Sequence, residues 1–133
     1  MKNFFFLAIA LLISSSLFAA TDHYTLRDDN HVRHLKITTL NDEIMVSADV
    51  DFESPANKAG PDHCSAEISG KAKSAGENEL VMKKHSETDA SFCELKIQLS
   101  PNGAKIEEGG DCNNFAVGKC RFSSGGKELI RIQ

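Results

Sequence analysis

Asp49, Asp51 and Glu53 put three carboxylates at alternate positions of one stretch of chain. On a strand such residues share a face, where they can hold a cation or steer in a basic partner. The D-x-D-x-E spacing matches part of a calcium loop, but the turn-making Gly and the closing Glu are missing. A simpler role is a solvated face that also deters edge-to-edge strand pairing. A carboxylate-pair glycosidase is disfavoured by composition, since no Trp and one Tyr leave few aromatic platforms for a sugar.

Residues 109–115, GGDCNNF, form the most unusual polar segment. Asp111, Asn113, Asn114 and Phe115 would make a hydrogen-bond-rich loop with an apolar tip, anchored by Cys112. A loop stiffened in this way loses little entropy on binding a partner. In the simpler arrangement Phe115 folds back as an apolar plug.

Covalent catalysis has little support. There is no G-x-S-x-G and no C-x-x-C motif. Residues 124–127, SGGK, match S-x-x-K but fall on a glycine turn and lack the companion S-D-N and K-T-G motifs. His31 and His34 are three apart, on opposite faces of a strand, so they are no natural ligand pair. His63 and His85 read as rim or surface histidines.

The first twenty residues set the compartment. Lys2 precedes ten apolar residues at 4–13, and residues 14–20 turn small and polar. That is the layout of a secretory signal peptide, cut after Ala19 or Ala20, and its apolar run is too short to span a bilayer. Residues 1–20 are therefore expected to be removed, leaving a single domain over 21–133, periplasmic or secreted, with no membrane anchor.

Export sends the four cysteines, Cys64, Cys93, Cys112 and Cys120, into an oxidising compartment. Two disulfides are expected, with three possible connectivities. The short spacing of Cys112 and Cys120 favours joining those two, which leaves Cys64 with Cys93. Closing that second loop would contribute roughly 3 kcal/mol. A four-cysteine metal site would need C-x-x-C spacing and a reducing environment. No metal and no cofactor is expected.

Losing Lys2 takes the basic residues from 15 to 14 against 19 acidic ones, a formal net charge of −5. The excess is local: residues 22–62 hold nine acids against four bases, and residues 63–133 hold ten of each. This balance disfavours nucleic acid and anionic lipid as partners. It suits solubility, and it would also attract a basic protein.

Strand periodicity positions these residues. Over 43–53, Ile44, Val46, Ala48, Val50 and Phe52 alternate with Met45, Ser47, Asp49, Asp51 and Glu53, giving one buried and one wet face. Leu35, Ile37 and Thr39 alternate likewise, and Asn41-Asp42 should join the two runs in a tight hairpin. Further strands are predicted at 64–73, 80–84, 93–99, 105–107, 119–123 and 128–132, with turns at 75–78, 86–90, 100–103 and 124–126. All three prolines fall in loops, Pro55 and Pro61 between residues 54 and 63. The fold expected is an all-β antiparallel barrel or sandwich of about eight short strands.

C-x-A-x-I-x-G-x-A at 64–72, C-x-L-x-I-x-L at 93–99 and G-x-C-x-F-S at 118–123 give residues 64–132 a resemblance to small exported β-barrel proteins of the Gram-negative envelope, a group that includes lysozyme inhibitors. The resemblance implies a small barrel that binds an enzyme. The membrane-bound type of inhibitor carries an S-G-x-x-Y loop, whereas residues 124–128 here read SGGKE and lack the Tyr. No inhibitory-loop residue is carried over.

Together these features lead to the expectation of a non-enzymatic exported binding protein, an inhibitor or immunity-type protein against a cell-wall-degrading or other toxic enzyme. Asp111, Asn113, Asn114 and Phe115 would make contact, with Asp49, Asp51 and Glu53 steering. The alternatives are a small-ligand carrier using the barrel interior, and an envelope hydrolase without a recognisable motif.

Overall fold

A computed structural model describes residues 20–28, 31–52, 64–87, 90–117 and 120–132. Residues 1–19, Glu53, Pro55, Pro61 and His63 lie outside the described residues, and so do the expectations that fall on them. Among the described residues nine strands form, β1 Ala20–Asp28, β2 His31–Leu40, β3 Glu43–Phe52, β4 Ser65–Gly76, β5 Glu79–His85, β6 Phe92–Ser100, β7 Gly103–Gly110, β8 Ala116–Val117 and β9 Leu129–Ile132. They hydrogen-bond in the order β3-β2-β1-β9-β7-β6-β5-β4, and β4 returns to β3. All pairings are antiparallel, so eight strands close into a barrel. The two-residue β8 adds to β4 beside Ser65 and Ala66. Closure leaves no long free edge among these eight strands.

Alternation decides which side chains fill the interior. Cys93, Leu95 and Ile97 of β6 are fully buried while Lys96 and Gln98 are exposed. Val46, Ala48 and Val50 of β3 do the same opposite Leu35 and Ile37 of β2. Asn41 turns the hairpin between those strands at φ 57°, a conformation asparagine tolerates. Phe122, Leu35, Met82, Leu95, Ile97, Ile106 and Leu129 are the largest of the fully buried side chains. A barrel this small is usually filled by its own side chains.

Two segments depart from the sequence reading. β1 was not predicted, yet it pairs with β2 along nine residues, from Ala20 opposite Thr39 to Asp28 opposite His31. The strand expected at 119–123 is replaced by irregular chain over the described part, 120–123. Its alternation still operates: Cys120, Phe122 and Ser124 point inward and are buried. The backbone N–H groups of Phe122 and Ser123 both donate to the Glu108 carboxylate, in place of a ladder partner. Ser124 then exchanges backbone and hydroxyl hydrogen bonds with Ile106 (2.9 and 3.1 Å), which satisfies this buried polar residue.

The cysteine pairing also differs from the expected one. Cys64 is bonded to Cys120, and Cys93 to Cys112, with Cα separations of 5.4 and 4.5 Å. Strand register explains the second bond: Cys93 stands opposite Gly110 in the β6–β7 ladder, two residues short of Cys112. Cys120 follows β8, which lies against the start of β4 and hence beside Cys64. Cys112 and Cys120 therefore serve different anchors instead of closing on each other.

Candidate functional site

Both disulfides lie at one end of the barrel, where β3, β5 and β7 finish and β4 and β6 begin. Gly110 ends β7 at φ +71°, and a Cβ there would collide with the Phe92 carbonyl oxygen. Only glycine lets the chain turn this tightly into Asp111, whose N–H donates to that carbonyl at 2.8 Å. The Asp111 carboxylate accepts from the Asn113 N–H at 3.1 Å. A 3₁₀ turn follows over Asn113–Phe115, closed by the Phe115 N–H on the Cys112 carbonyl. The Asn114 side-chain amide donates to the Ser91 hydroxyl at 3.0 Å, tying the turn to the chain before β6.

This loop therefore presents Asp111, Asn113 and Asn114 to solvent on a frame fixed at Cys112. Phe115 is half-buried and packs against the core, the plugged arrangement and not the exposed tip. A depression of about 270 Å³ remains beside it, lined by Ser86, Glu87, Asn114 and Phe115. A second, of about 170 Å³, lies between the disulfide-bearing segments and is lined by Glu108, Asp111 and Arg121 among others.

The acidic strand reaches the same end. Asp51 is exposed and accepts from the Ser65 hydroxyl at 3.4 Å, and Ser65 is the register partner of Val117 in β8. Asp51 and the disulfide loop are thus separated only by β4. Asp49 sits one pleat lower, half-buried between its register partners His34 on β2 and Glu67 on β4. Its Oδ1 is buried with no hydrogen-bond partner among the described residues. Burial pushes the Asp49 carboxyl above its ordinary range, while His34 pulls it the other way. The acidic row and the loop, far apart in sequence, form one rim, with Glu53 outside the described residues.

A feature missed in the sequence lies next to Asp49. His23 of β1 brings Nε2 to 3.1 Å from Nδ1 of His34, with ring centroids 5.3 Å apart. The two are diagonal neighbours, since Thr25 is the direct partner of His34. Burial lowers the His23 pKa, and His34 and Lys36 push it further down. The signal that could have found this pair was β1 itself, which the sequence reading passed over.

Elsewhere on the rim, Lys127 holds Asp28 at 2.8 Å and keeps its carboxyl below the usual range. Arg33, on the inward side of β2, is half-buried and reaches the Arg121 carbonyl. Among the described residues, ligand atoms of His31, Cys64 and Cys120 lie within 4.8 Å of one another. The two sulfurs are spent on the disulfide, and a thiolate is the form that binds metal. His85 is exposed beside Phe92, as expected of a rim histidine.

No helix among the described residues is long and apolar enough to cross a membrane. Two disulfides in so small a domain point to an oxidising compartment. No protein-family model, curated protein or solved structure matches this chain.

Proposed function

We propose that this chain is an exported, non-enzymatic binding protein that docks a protein partner on its disulfide-framed rim, as an inhibitor or immunity-type protein against a cell-wall-degrading or other toxic enzyme. One observation carries the reading: Asp111, Asn113 and Asn114 are held rigidly by a disulfide and a 3₁₀ turn at the barrel end that also carries Asp51. A preorganised polar loop loses little entropy on docking, and the acidic strand beside it attracts a basic surface. The interior side chains are buried, which favours the rim over a cavity as the place for recognition. Phe115, half-buried, supports the loop and floors the shallow depression.

The test is cell-wall hydrolysis by each of a panel of lysozymes, titrated with oxidised protein lacking residues 1–20. Stoichiometric loss of one enzyme's activity, reversed by substituting Asn114 and Asp111, is expected. Full activity across the panel at micromolar protein would remove lysozymes as the target class.

A further inference from the structure

We propose that His23 and His34, backed by Asp49, form a surface site for a late first-row divalent metal ion on the outer face of β1, β2 and β3. His23 Nε2 and His34 Nδ1 face one another at 3.1 Å. At the usual metal–imidazole bond length of about 2.0–2.1 Å, one ion can bridge nitrogens at that spacing with an N–metal–N angle of roughly 95–100°. Without an ion, one ring must donate an N–H to the other. The neutral pair then holds a single proton where the metal would sit, and the ion takes that place as the donor ring shifts its proton to its other nitrogen.

Asp49 supplies the second line of argument. Its carboxylate is the cross-strand neighbour of His34, and antiparallel partners bring their Cβ atoms to about 4.5–5.5 Å. Oδ1 is shielded from solvent yet unpartnered, an arrangement that costs free energy unless a cation or donor answers it. Asp51 and Glu67 add negative charge on the same face, which also carries the cations Lys36 and Arg27. Two imidazole nitrogens suit Zn²⁺ or Cu²⁺ better than Ca²⁺, which takes six or more oxygens. The Asp49 carboxylate, not within ligand reach of both rings, supplies charge beside them and is not a third ligand. Water would complete the coordination on this open face.

The site is tested by calorimetric titration of chelator-treated, oxidised protein with ZnCl₂ and with CuCl₂, followed by histidine-selective NMR. Wild type is expected to bind one equivalent, with the shifts confined to the rings of His23 and His34. His34→Ala should weaken binding at least tenfold, Asp49→Asn should weaken it about tenfold, and His85→Ala should leave it unchanged. No binding at millimolar metal would overturn the proposal. So would undiminished affinity in His34→Ala, or shifts centred on His31, His63 or His85. The NMR map on wild type decides the matter even where a variant fails to fold.

Discussion

The Ser65 hydroxyl donates to the Asp51 carboxylate at 3.4 Å, and that contact joins the acidic strand to the disulfide rim. Ser65 stands between Asp51 on β3 and Val117 on β8. Three segments separated by many residues in the chain therefore make one surface. Its charge comes from β3, and its shape comes from the loop after β7.

Asp51→Asn and Asp111→Asn should weaken partner binding while leaving stability within about 0.5 kcal/mol, because both side chains are exposed. For Asp51 the loss should fall mainly on the association rate and shrink as salt is raised. Stopped-flow binding at two ionic strengths checks this. A salt-independent dissociation effect would contradict the steering role.

Disulfide connectivity gives a second expectation. Non-reducing digestion and mass spectrometry should recover peptides linking Cys64 to Cys120 and Cys93 to Cys112. Their sequence separations are 56 and 19 residues, so replacing each pair with Ala should cost about 4 and about 3 kcal/mol respectively by chain entropy. Urea denaturation of the two double variants ranks them. A Cys112–Cys120 peptide would contradict the fold at this end.

Gly110→Ala should destabilise the protein by at least about 1–3 kcal/mol, since φ is +71° and the new methyl meets the Phe92 carbonyl. Gly76→Ala is the control, because its Cβ would point into open space. Thermal melts of both separate a general glycine effect from the tight turn that aims Asp111.

Asp49→Asn should raise the thermal midpoint at pH 7 in the presence of chelator. The carboxyl is pushed up by burial, against His34 and Lys36 on β2 and with Asp51 on β3 and Glu67 on β4. The folded protein then holds the Asp49 proton more tightly than the unfolded chain. The cost of ionising it is present above the folded-state pKa and fades as pH falls below the unfolded value. The gain from Asn should fade over that same acidic range, and a lowered midpoint at pH 7 would contradict this environment for Asp49.

The β2–β3 hairpin was legible because its alternation is unbroken and Asn41 sits at the turn. β1 was not, because its inward positions are Asp22, Tyr24, Leu26 and Asp28, with few apolar side chains to mark a strand. Missing β1 also hid the His23–His34 pair. At residues 120–123 Cys120 and Phe122 alternate inward as in a strand, but the Glu108 carboxylate bonds that backbone in place of a neighbouring strand. The disulfide pairing was within reach: a hairpin turning at Pro101-Asn102 sets Cys93 opposite Gly110, beside Cys112. Strand register, and not spacing along the chain, decides which cysteines meet.

The central claim, that the rim recognises a protein, is tested most directly by affinity capture with two baits. One is the oxidised wild-type domain, and the other carries Asp51→Asn, Asp111→Asn and Asn114→Ala together. Each is exposed to envelope extract plus a panel of lysozymes, and the bound proteins are identified by mass spectrometry. The account expects one enzyme held stoichiometrically by wild type, losing activity when bound, and absent from the substituted bait. Equal recovery by both baits, or wild type recovered alone, would contradict it.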